Sequence, residues 1–517
     1  MGEYIMTKIL NLLFNRRIVL YTIAILVQAF FLMLVLWRFG NFFIYFYIIN
    51  IILSLIVVLF ILNNKSNPAY KIAWIVPILL LPIFGGLIYL MFGNYKTSKK
   101  VKRDMQNIND KMEHFLKQQD EVIESLKNKS ITAVNQSRYI QKYAFCPIYK
   151  NTTSKYLTPG EEKFKYLIKE LKKARRYIFL EYFIIEEGKM WDTILKILTE
   201  KVEQGIDVRI IYDDMGCMSR LPFGYDKQLE AKGIKCSVFN PFIPILSLRH
   251  NNRDHRKIVV IDGHTAFTGG INLADEYINE VERFGHWKDS SIMIKGEAAW
   301  SFSVFFLSLW EYLRGEKIEY VLFKPILENK EEFTSDGFIQ PFADSPIDDE
   351  TVSEIIYLNL ISQAKRYVYI NTPYLILDNK LTTALITSAK RGVDVRIITP
   401  YIPDKWYVHS VSRSNYADLI ESGVGIYEYT PGFMHSKVFI VDDQIAVVGT
   451  INLDYRSLFL HFECGVWMYC ASSIKDIKKD FLQSQELSQR ITSECCNSTK
   501  WYKKLISFIL RIFAPLM

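Results

Sequence analysis

The sequence predicts an α/β protein of two duplicated halves that share one site on a pseudo-twofold axis, preceded by N-terminal transmembrane helices. Three observations predict it. His255-Arg-Lys-Ile-Val-Val-Ile-Asp262 returns as His435-Ser-Lys-Val-Phe-Ile-Val-Asp442, an offset of 180 residues that also carries Gly269 to Gly449 and Asn272 to Asn452. Around each copy, short apolar runs rich in Val, Ile and Tyr alternate with helical stretches, the pattern of an α/β domain. Before them, the first hundred residues hold three nearly uninterrupted apolar runs.

The runs are 18–37, 42–62 and 72–92. Lengths near 20 residues match the hydrocarbon core of a bilayer. The first is too long for a signal-peptide core and lacks a small-residue cleavage site. The third contains Pro77, Pro82, Gly85 and Gly86, so it reads as a kinked span or a re-entrant segment. Residues 1–95 are therefore a membrane region with two or three spans. Lys8, Arg16 and Arg17 precede the first run, and Lys96, Lys99, Lys100, Lys102 and Arg103 follow the third. Both clusters mark a cytoplasmic side, which three full crossings cannot satisfy. One run then does not cross, and the denser second cluster puts the catalytic portion of a multi-pass membrane protein in the cytoplasm.

The chain has 517 residues, enough for two or three domains, and a net charge of +8. That balance suits an anionic membrane surface or nucleic acid, or simply orients the protein in the membrane. The seven cysteines are irregularly spaced with no CxxC, which suggests neither a zinc knuckle nor a disulfide framework and fits reduced thiols. Residues 96–150 read as a charged connecting helix, with Ile108, Met112, Phe115 and Leu116 at helical spacing. Residues 496–517 read as an amphipathic helix that lies on the membrane or packs on the protein.

Between these, Ala-Arg-Arg-Tyr-Ile-Phe-Leu-Glu-Tyr-Phe from Ala174 pairs with Ala-Lys-Arg-Tyr-Val-Tyr-Ile-Asn-Thr-Pro from Ala364, and Gly205-Ile-Asp-Val-Arg-Ile-Ile with Gly392-Val-Asp-Val-Arg-Ile-Ile. Two lobes follow, 151–325 and 326–495. Asp262-Gly263 marks a tight turn between two apolar runs, so the motif reads as a hairpin. Alternate side chains of a strand share a face. His255 and Lys257 then point together into a site, as do His435 and Lys437, while Asp262 and Asp442 complete the catalytic set from the other face in a supporting role.

Lysine is not a usual metal ligand, so His-x-Lys predicts no metal. A neutral imidazole beside a fixed positive charge suits a phosphate ester. With two copies, one histidine attacks phosphorus and the other protonates the departing alcohol. The lysines neutralise phosphoryl oxygens, and Asn272 and Asn452 donate further hydrogen bonds. His114, His250, His264, His286, His409 and His461 read as structural.

His-Arg-Lys-Ile-Val-Val-Ile-Asp-Gly-His-Thr-Ala-Phe-Thr-Gly-Gly-Ile-Asn272 and its second copy ending at Asn452 resemble the paired HKD motifs of the phospholipase D superfamily. The apolar segment from Asn67 to Gly93, Leu-Glu-Tyr-Phe-Ile-Ile (Leu180–Ile185) and Thr-Pro-Tyr-Leu-Ile-Leu-Asp (Thr372–Asp378) are similar to the bacterial cardiolipin synthases, over residues 42–517. The run at 18–37 departs from the two-span pattern of that family. The resemblance implies a bilobal phospholipase D-like fold. It implies transfer of a phosphatidyl group from one phosphatidylglycerol to another through a phosphohistidine, giving cardiolipin and glycerol without metal or cofactor. His255 would be the nucleophile and His435 the acid and base. It further implies that a carboxylate downstream of each motif, Asp289 and Glu463, orients a histidine. Glu181, a carboxylate amid apolar residues, is expected at the site, because burial without a partner is costly. Tyr182, Asp213 and Asp214 read as ordinary strand-end residues. The expected partners are phosphatidylglycerol and the bilayer, not nucleic acid, which would not require membrane runs. A phospholipase D-type hydrolase or transfer to another alcohol would use the same motifs. An inert scaffold would have lost a His or Lys, and both motifs are complete.

Overall fold

The computed structural model describes residues 43–64, 67–80, 99–242, 251–326, 337–348, 350–498 and 500–516, with single residues or pairs elsewhere. Its first half contains β1 (Thr152–Leu157), β2 (Tyr177–Tyr182), β3 (Asp207–Asp213), β4 (Lys235–Phe239), β5 (Arg253–Asp254), β6 (Lys257–Ile261), β7 (Thr265–Gly269), β8 (His286–Lys288) and β9 (Ser291–Gly296). The second contains β10 (Phe338–Asp344), β11 (Tyr367–Asn371), β12 (Asp394–Pro400), β13 (Gly425–Tyr429), β14 (Gly432–Met434), β15 (Val438–Val441), β16 (Ile445–Gly449), β17 (His461–Tyr469) and β18 (Ser488–Ile491).

The first sheet runs β1-β9-β7-β6-β2-β3-β4 and the second β10-β17-β16-β15-β11-β12-β13, with β18 added at its outer edge. The orders match strand for strand, so the sequence repeat is a repeat of topology. In each half three strands are parallel, β2-β3-β4 and β11-β12-β13. Helices Lys189–Glu203 and Asn379–Lys390 make the first crossovers. The motif hairpins β6-β7 and β15-β16 add antiparallel strands beside them. Strands β2, β6 and β7 are buried along their whole length, which explains their near-continuous apolar sequences.

Two short pairings join the halves. β5 pairs in parallel with β17, Arg253 opposite His461 and Asp254 opposite Phe462. β14 pairs in parallel with β8, Phe433 opposite Trp287. Helix Ala299–Arg314, buried from Ala299 to Trp310, shares one apolar core with residues of both sheets.

Asp262 and Asp442, expected in the catalytic set, are elsewhere. A five-residue strand, roughly 16 Å long, separates Asp262 from Lys257. Its carboxylate accepts the backbone N–H groups of Arg175 (2.8 Å), Arg176 (2.8 Å) and Tyr177 (3.0 Å). Asp442 accepts those of Lys365 (2.7 Å), Arg366 (2.8 Å) and Tyr367 (2.8 Å). Each aspartate fastens its hairpin turn to the start of the neighbouring strand. Both sit at positive φ, 52° and 54°, which Asp tolerates better than most residues. Asp262→Ala strands three N–H groups, so it is expected to destabilise the protein by about 3 kcal/mol. Chemical denaturation checks this, and the folded fraction should keep its specific activity. A stable but inactive variant would return Asp262 to the site.

The connector is three helices rather than one: Lys99–Phe115, Asp120–Lys127 and Ile131–Ala144. The breaks let Leu116, Val122 and Leu126 turn into the core, and the Ser130 hydroxyl caps the third helix by accepting the Ala133 N–H. Of the apolar runs, the second coincides with helix Phe43–Asn63 and the start of the third with helix Pro68–Leu80, with Pro77 inside it. These two pack through Ile61, Tyr70, Trp74 and Ile78. The Asn67 amide donates to Asp378 at 3.3 Å, tying this pair to the second half. Most of the first run, and residues 82–88 with Pro82, Gly85 and Gly86, lie outside the described residues. Among the described residues no helix is long and apolar enough to cross a membrane. Five side chains in the first eight positions of helix Phe43–Asn63 lie outside that set. The terminal helix Trp501–Ile512 packs beside helix Trp406–Ser414, and Trp501, Leu505, Phe508 and Ile509 face outward.

Candidate active site

β5 ends at Asp254 and β6 starts at Lys257, so His255 and Arg256 occupy the step between two sheets. His435 occupies the equivalent step between β14 and β15. The backbone N–H of His255 donates to Phe462 of β17 (2.9 Å), and that of His435 to Lys288 of β8 (2.7 Å). This stitching decides the carboxylate partners. His255 Nδ1 lies 2.9 Å from Glu463 Oε1, and His435 Nδ1 lies 2.6 Å from Asp289 Oδ2. The carboxylate downstream of each motif serves the histidine of the other motif. The tautomer assigned from these contacts protonates Nδ1 and leaves the Nε2 lone pair for chemistry.

Both histidines are buried. Burial first, then the lysines beside them, holds His255 well below its ordinary value and His435 down to about 4. Both rings are thus neutral near pH 7. Burial also brings Lys257 down to about 8 and Lys437 to about 7. Each ammonium donates to the backbone carbonyl of its own histidine. Burial pushes Glu463 above the carboxylate range, and Lys257 opposes it. The Thr450 hydroxyl donates to Glu463 Oε2. Between the motifs the Ser290 and Ser436 hydroxyls meet at 2.5 Å.

Aromatic rings wall the site. Phe183 and His461 lie 5.1 and 5.6 Å from the His255 ring. Trp287, Tyr277 and Phe433 lie 5.2, 5.6 and 5.7 Å from the His435 ring.

Other expected site residues fall behind this layer. Arg256 lies between His255 and Lys257 in sequence and so takes the opposite face. There it pairs with Glu181 (2.6 Å) and Asp254 (3.2 Å), all buried. Glu181 therefore supports the motif from behind instead of facing the histidines. The halves differ at both positions of this pair: Ser436 stands for Arg256 and Asn371 for Glu181. That joint difference is a sequence signal for the contact. Asn272 is committed to the fold, its amide donating to the Tyr277 hydroxyl (2.7 Å) and its oxygen accepting the Ile184 N–H (3.1 Å). The Asn452 oxygen is buried with no partner among the described residues. Asp213 accepts the Asp254 N–H at 3.1 Å and caps the turn after β3. Asp214 accepts the Phe242 N–H (2.6 Å), and the Tyr182 hydroxyl takes the buried Lys163 ammonium (3.0 Å). His264, His286 and His409 sit against Thr265, Tyr429 and Glu428, and His114 packs on Phe115. His250 lies outside the described residues. His461, read as structural, is in the site.

Residues 167–297 and 357–484, one stretch in each half, match the family described as cardiolipin synthase, PLD-like domain. Residues 51–94 match the phospholipase D-nuclease N-terminal family. A cardiolipin synthase of Halalkalibacterium halodurans is 33% identical over 473 residues, 91% of this chain and 93% of that one.

The chain belongs to the cardiolipin synthase family.

A cardiolipin synthase of Geobacillus kaustophilus is 34% identical over 88% of this chain and 90% of its own. An uncharacterized protein of Streptococcus mutans is 43% identical over 89% of this chain and 99% of its own. Among solved structures, phosphatidylserine synthase of Haemophilus influenzae superposes with a TM-score of 0.56 at 15% identity, over 74% of this chain and 97% of that one. That likeness is one of fold.

Within this cardiolipin synthase fold, His255, His461 and Glu463 bring possible metal-ligand atoms within 4.8 Å of one another. Lys257, Arg456 and Arg253 crowd the same place with positive charge, so the local field favours an anion. The lysines also predict a pH dependence. As Lys437 and Lys257 lose their protons at about 7 and about 8, kcat/KM should fall along an alkaline limb. Stability should move the other way. A lysine whose folded pKa lies below its unfolded value of about 10.4 costs stability while it is charged, and that cost fades as pH rises from the folded toward the unfolded value. Initial rates and thermal midpoints measured across this range should therefore diverge. A level kcat/KM up to the unfolded lysine value would reject a charged-lysine role.

Proposed function

We propose that this site makes cardiolipin by transferring a phosphatidyl group between two molecules of phosphatidylglycerol. The observation that carries the reading is a pair of buried, neutral imidazoles, each oriented by a carboxylate of the opposite half and each with a buried lysine on its own backbone carbonyl. Neutral imidazole is the nucleophilic form. In the first step His255 Nε2 attacks phosphorus, the P–O bond to the headgroup glycerol breaks, and His435 Nε2 gives the leaving oxygen its proton. The phosphodiester anion opposes the desolvation that depresses His435, so His435 carries that proton once the lipid is bound. In the second step His435 takes the proton of an incoming headgroup hydroxyl, that oxygen attacks phosphorus, and the P–N bond breaks. His255 is restored, and glycerol and cardiolipin are the products. Lys257 and Lys437 balance charge on the phosphoryl oxygens throughout.

The reaction belongs on a membrane. Helix Phe43–Asn63 has no charged residue and turns Ile52, Leu55, Ile56 and Leu59 outward. The terminal helix presents Trp501, Leu505 and Phe508 beside Lys500, Lys503 and Lys504, a composition suited to an anionic lipid surface. The basic cluster after the third apolar run supports a multi-pass chain with its lobes on the cytoplasmic side.

The test is reconstitution of the purified chain with labelled phosphatidylglycerol, without metal or nucleotide, followed by mass spectrometry. Cardiolipin with an equal amount of glycerol is expected. Phosphatidic acid as the sole lipid product would make the protein a hydrolase.

A further inference from the structure

His461 stands two positions before Glu463 on β17, and Trp287 stands two positions before Asp289. Alternation puts the ring at 461 on the face of its carboxylate. The two rings answer each other across the axis, His461 beside His255 and Trp287 beside His435. Among the described residues both carry buried nitrogens without a hydrogen-bond partner: Nδ1 and Nε2 of His461, and Nε1 of Trp287. Buried polar groups are nearly always paired, and an unmet one costs about 1–3 kcal/mol. The neighbours do not answer the need, since Glu463 Oε1 is 4.0 Å from His461 Nδ1. A group that arrives with the substrate can.

The chemistry of that group is constrained. Burial first, then the nearby charges of Arg456, Lys257 and Arg253, holds His461 well below its ordinary value, so the ring is neutral, with one N–H donor and one acceptor nitrogen. A phosphoryl oxygen alone would satisfy the donor and leave the acceptor empty. A phosphodiester whose alcohol still carries a free hydroxyl satisfies both. Trp287 offers a donor only, so its side of the axis can hold only an acceptor oxygen.

We propose that His461 contacts the substrate and reads its headgroup, giving its N–H to a phosphoryl oxygen on the His255 side and accepting a hydrogen bond from a headgroup hydroxyl. This rests on the transfer reading above and adds the element that favours a hydroxylated headgroup over water at the phosphohistidine.

The test compares the full chain with His461→Phe, which keeps a ring without nitrogens, and with His461→Asn, which keeps a donor and an acceptor. Cardiolipin and phosphatidic acid are quantified over a range of phosphatidylglycerol in mixed vesicles, alongside cleavage of a p-nitrophenyl phosphodiester that has no headgroup hydroxyl. His461→Phe is expected to raise KM for phosphatidylglycerol about 10-fold and to shift the cardiolipin to phosphatidic acid ratio about 10-fold toward hydrolysis. Cleavage of the chromogenic ester, which has one hydrogen bond to lose instead of two, should fall less. His461→Asn should recover most of both losses. His461→Ala repeats the measurement, so the test survives a Phe variant that fails to fold. Wild-type KM and product ratio in the Phe and Ala variants would overturn the proposal. Equal losses on both substrates without recovery by Asn would overturn it too, leaving a purely structural ring. A wild-type chain that yields only phosphatidic acid would instead overturn the transfer reading, and the headgroup role with it.

Discussion

His255→Ala should lower cardiolipin formation by about 10⁴-fold or more, and no covalent phosphoenzyme should form in it. In the proposed mechanism its Nε2 is the atom that bonds to phosphorus, and among the described residues no other neutral imidazole with an orienting carboxylate stands on that side of the site. His461 is near but has no such carboxylate contact, its Nδ1 lying 4.0 Å from Glu463. His435→Ala should be about as slow on phosphatidylglycerol, because the glycerol oxygen then leaves without a proton. The two variants should separate on a p-nitrophenyl phosphodiester, whose leaving group needs no proton. There His435→Ala should still form the phosphoenzyme, and His255→Ala should not. Quenched reactions with labelled phosphorus and peptide mapping read the outcome. Label on His435 would reverse the two roles.

The second large effect concerns the exchanged carboxylates. Glu463→Gln and Asp289→Asn should each cost about 10²- to 10⁴-fold in kcat. In the proposed mechanism positive charge develops on His255 only as the P–N bond forms, so attraction to Glu463 would be realised in the transition state and would lower the barrier instead of merely tightening binding. Asp289 does the same for the imidazolium form of His435. The pattern of defects should cross the halves. Glu463→Gln, a change in the second half, should behave like His255→Ala and fail on both substrates. Asp289→Asn, in the first half, should behave like His435→Ala and recover on the ester with the good leaving group. Defects that stay within one half would show that the contacts at 2.9 and 2.6 Å are not the ones catalysis uses.

Much of this was legible in the sequence because it is local or repeated. The 180-residue offset located both halves, and period-two alternation put His255 with Lys257 and sent Asp262 away from them. The matching sheet orders followed from matching strand patterns. What escaped notice depends on pairings between distant strands. Nothing near residue 255 says that β5 will lie on β17, so the partnership with Glu463 could not be read from spacing. Glu181, a carboxylate amid apolar residues, was expected at the site itself, because its partner Arg256 is hidden in the sequence between His255 and Lys257. His461 passed as structural because a lone histidine in a strand carries no signal until its neighbours are known. The aspartates of the motifs were expected on the other face in a supporting role, but the form of that support was not legible: their fixed spacing reflects a demand of the hairpin turn, where three backbone donors and a positive φ must be met together.

The parallel pairings of β5 with β17 and of β14 with β8 make the two half-reactions share one mechanical fate. Any slip between the halves draws Glu463 from His255 and Asp289 from His435 in the same movement. Loosening the molecule is therefore expected to weaken capture of the phosphatidyl group and its release together.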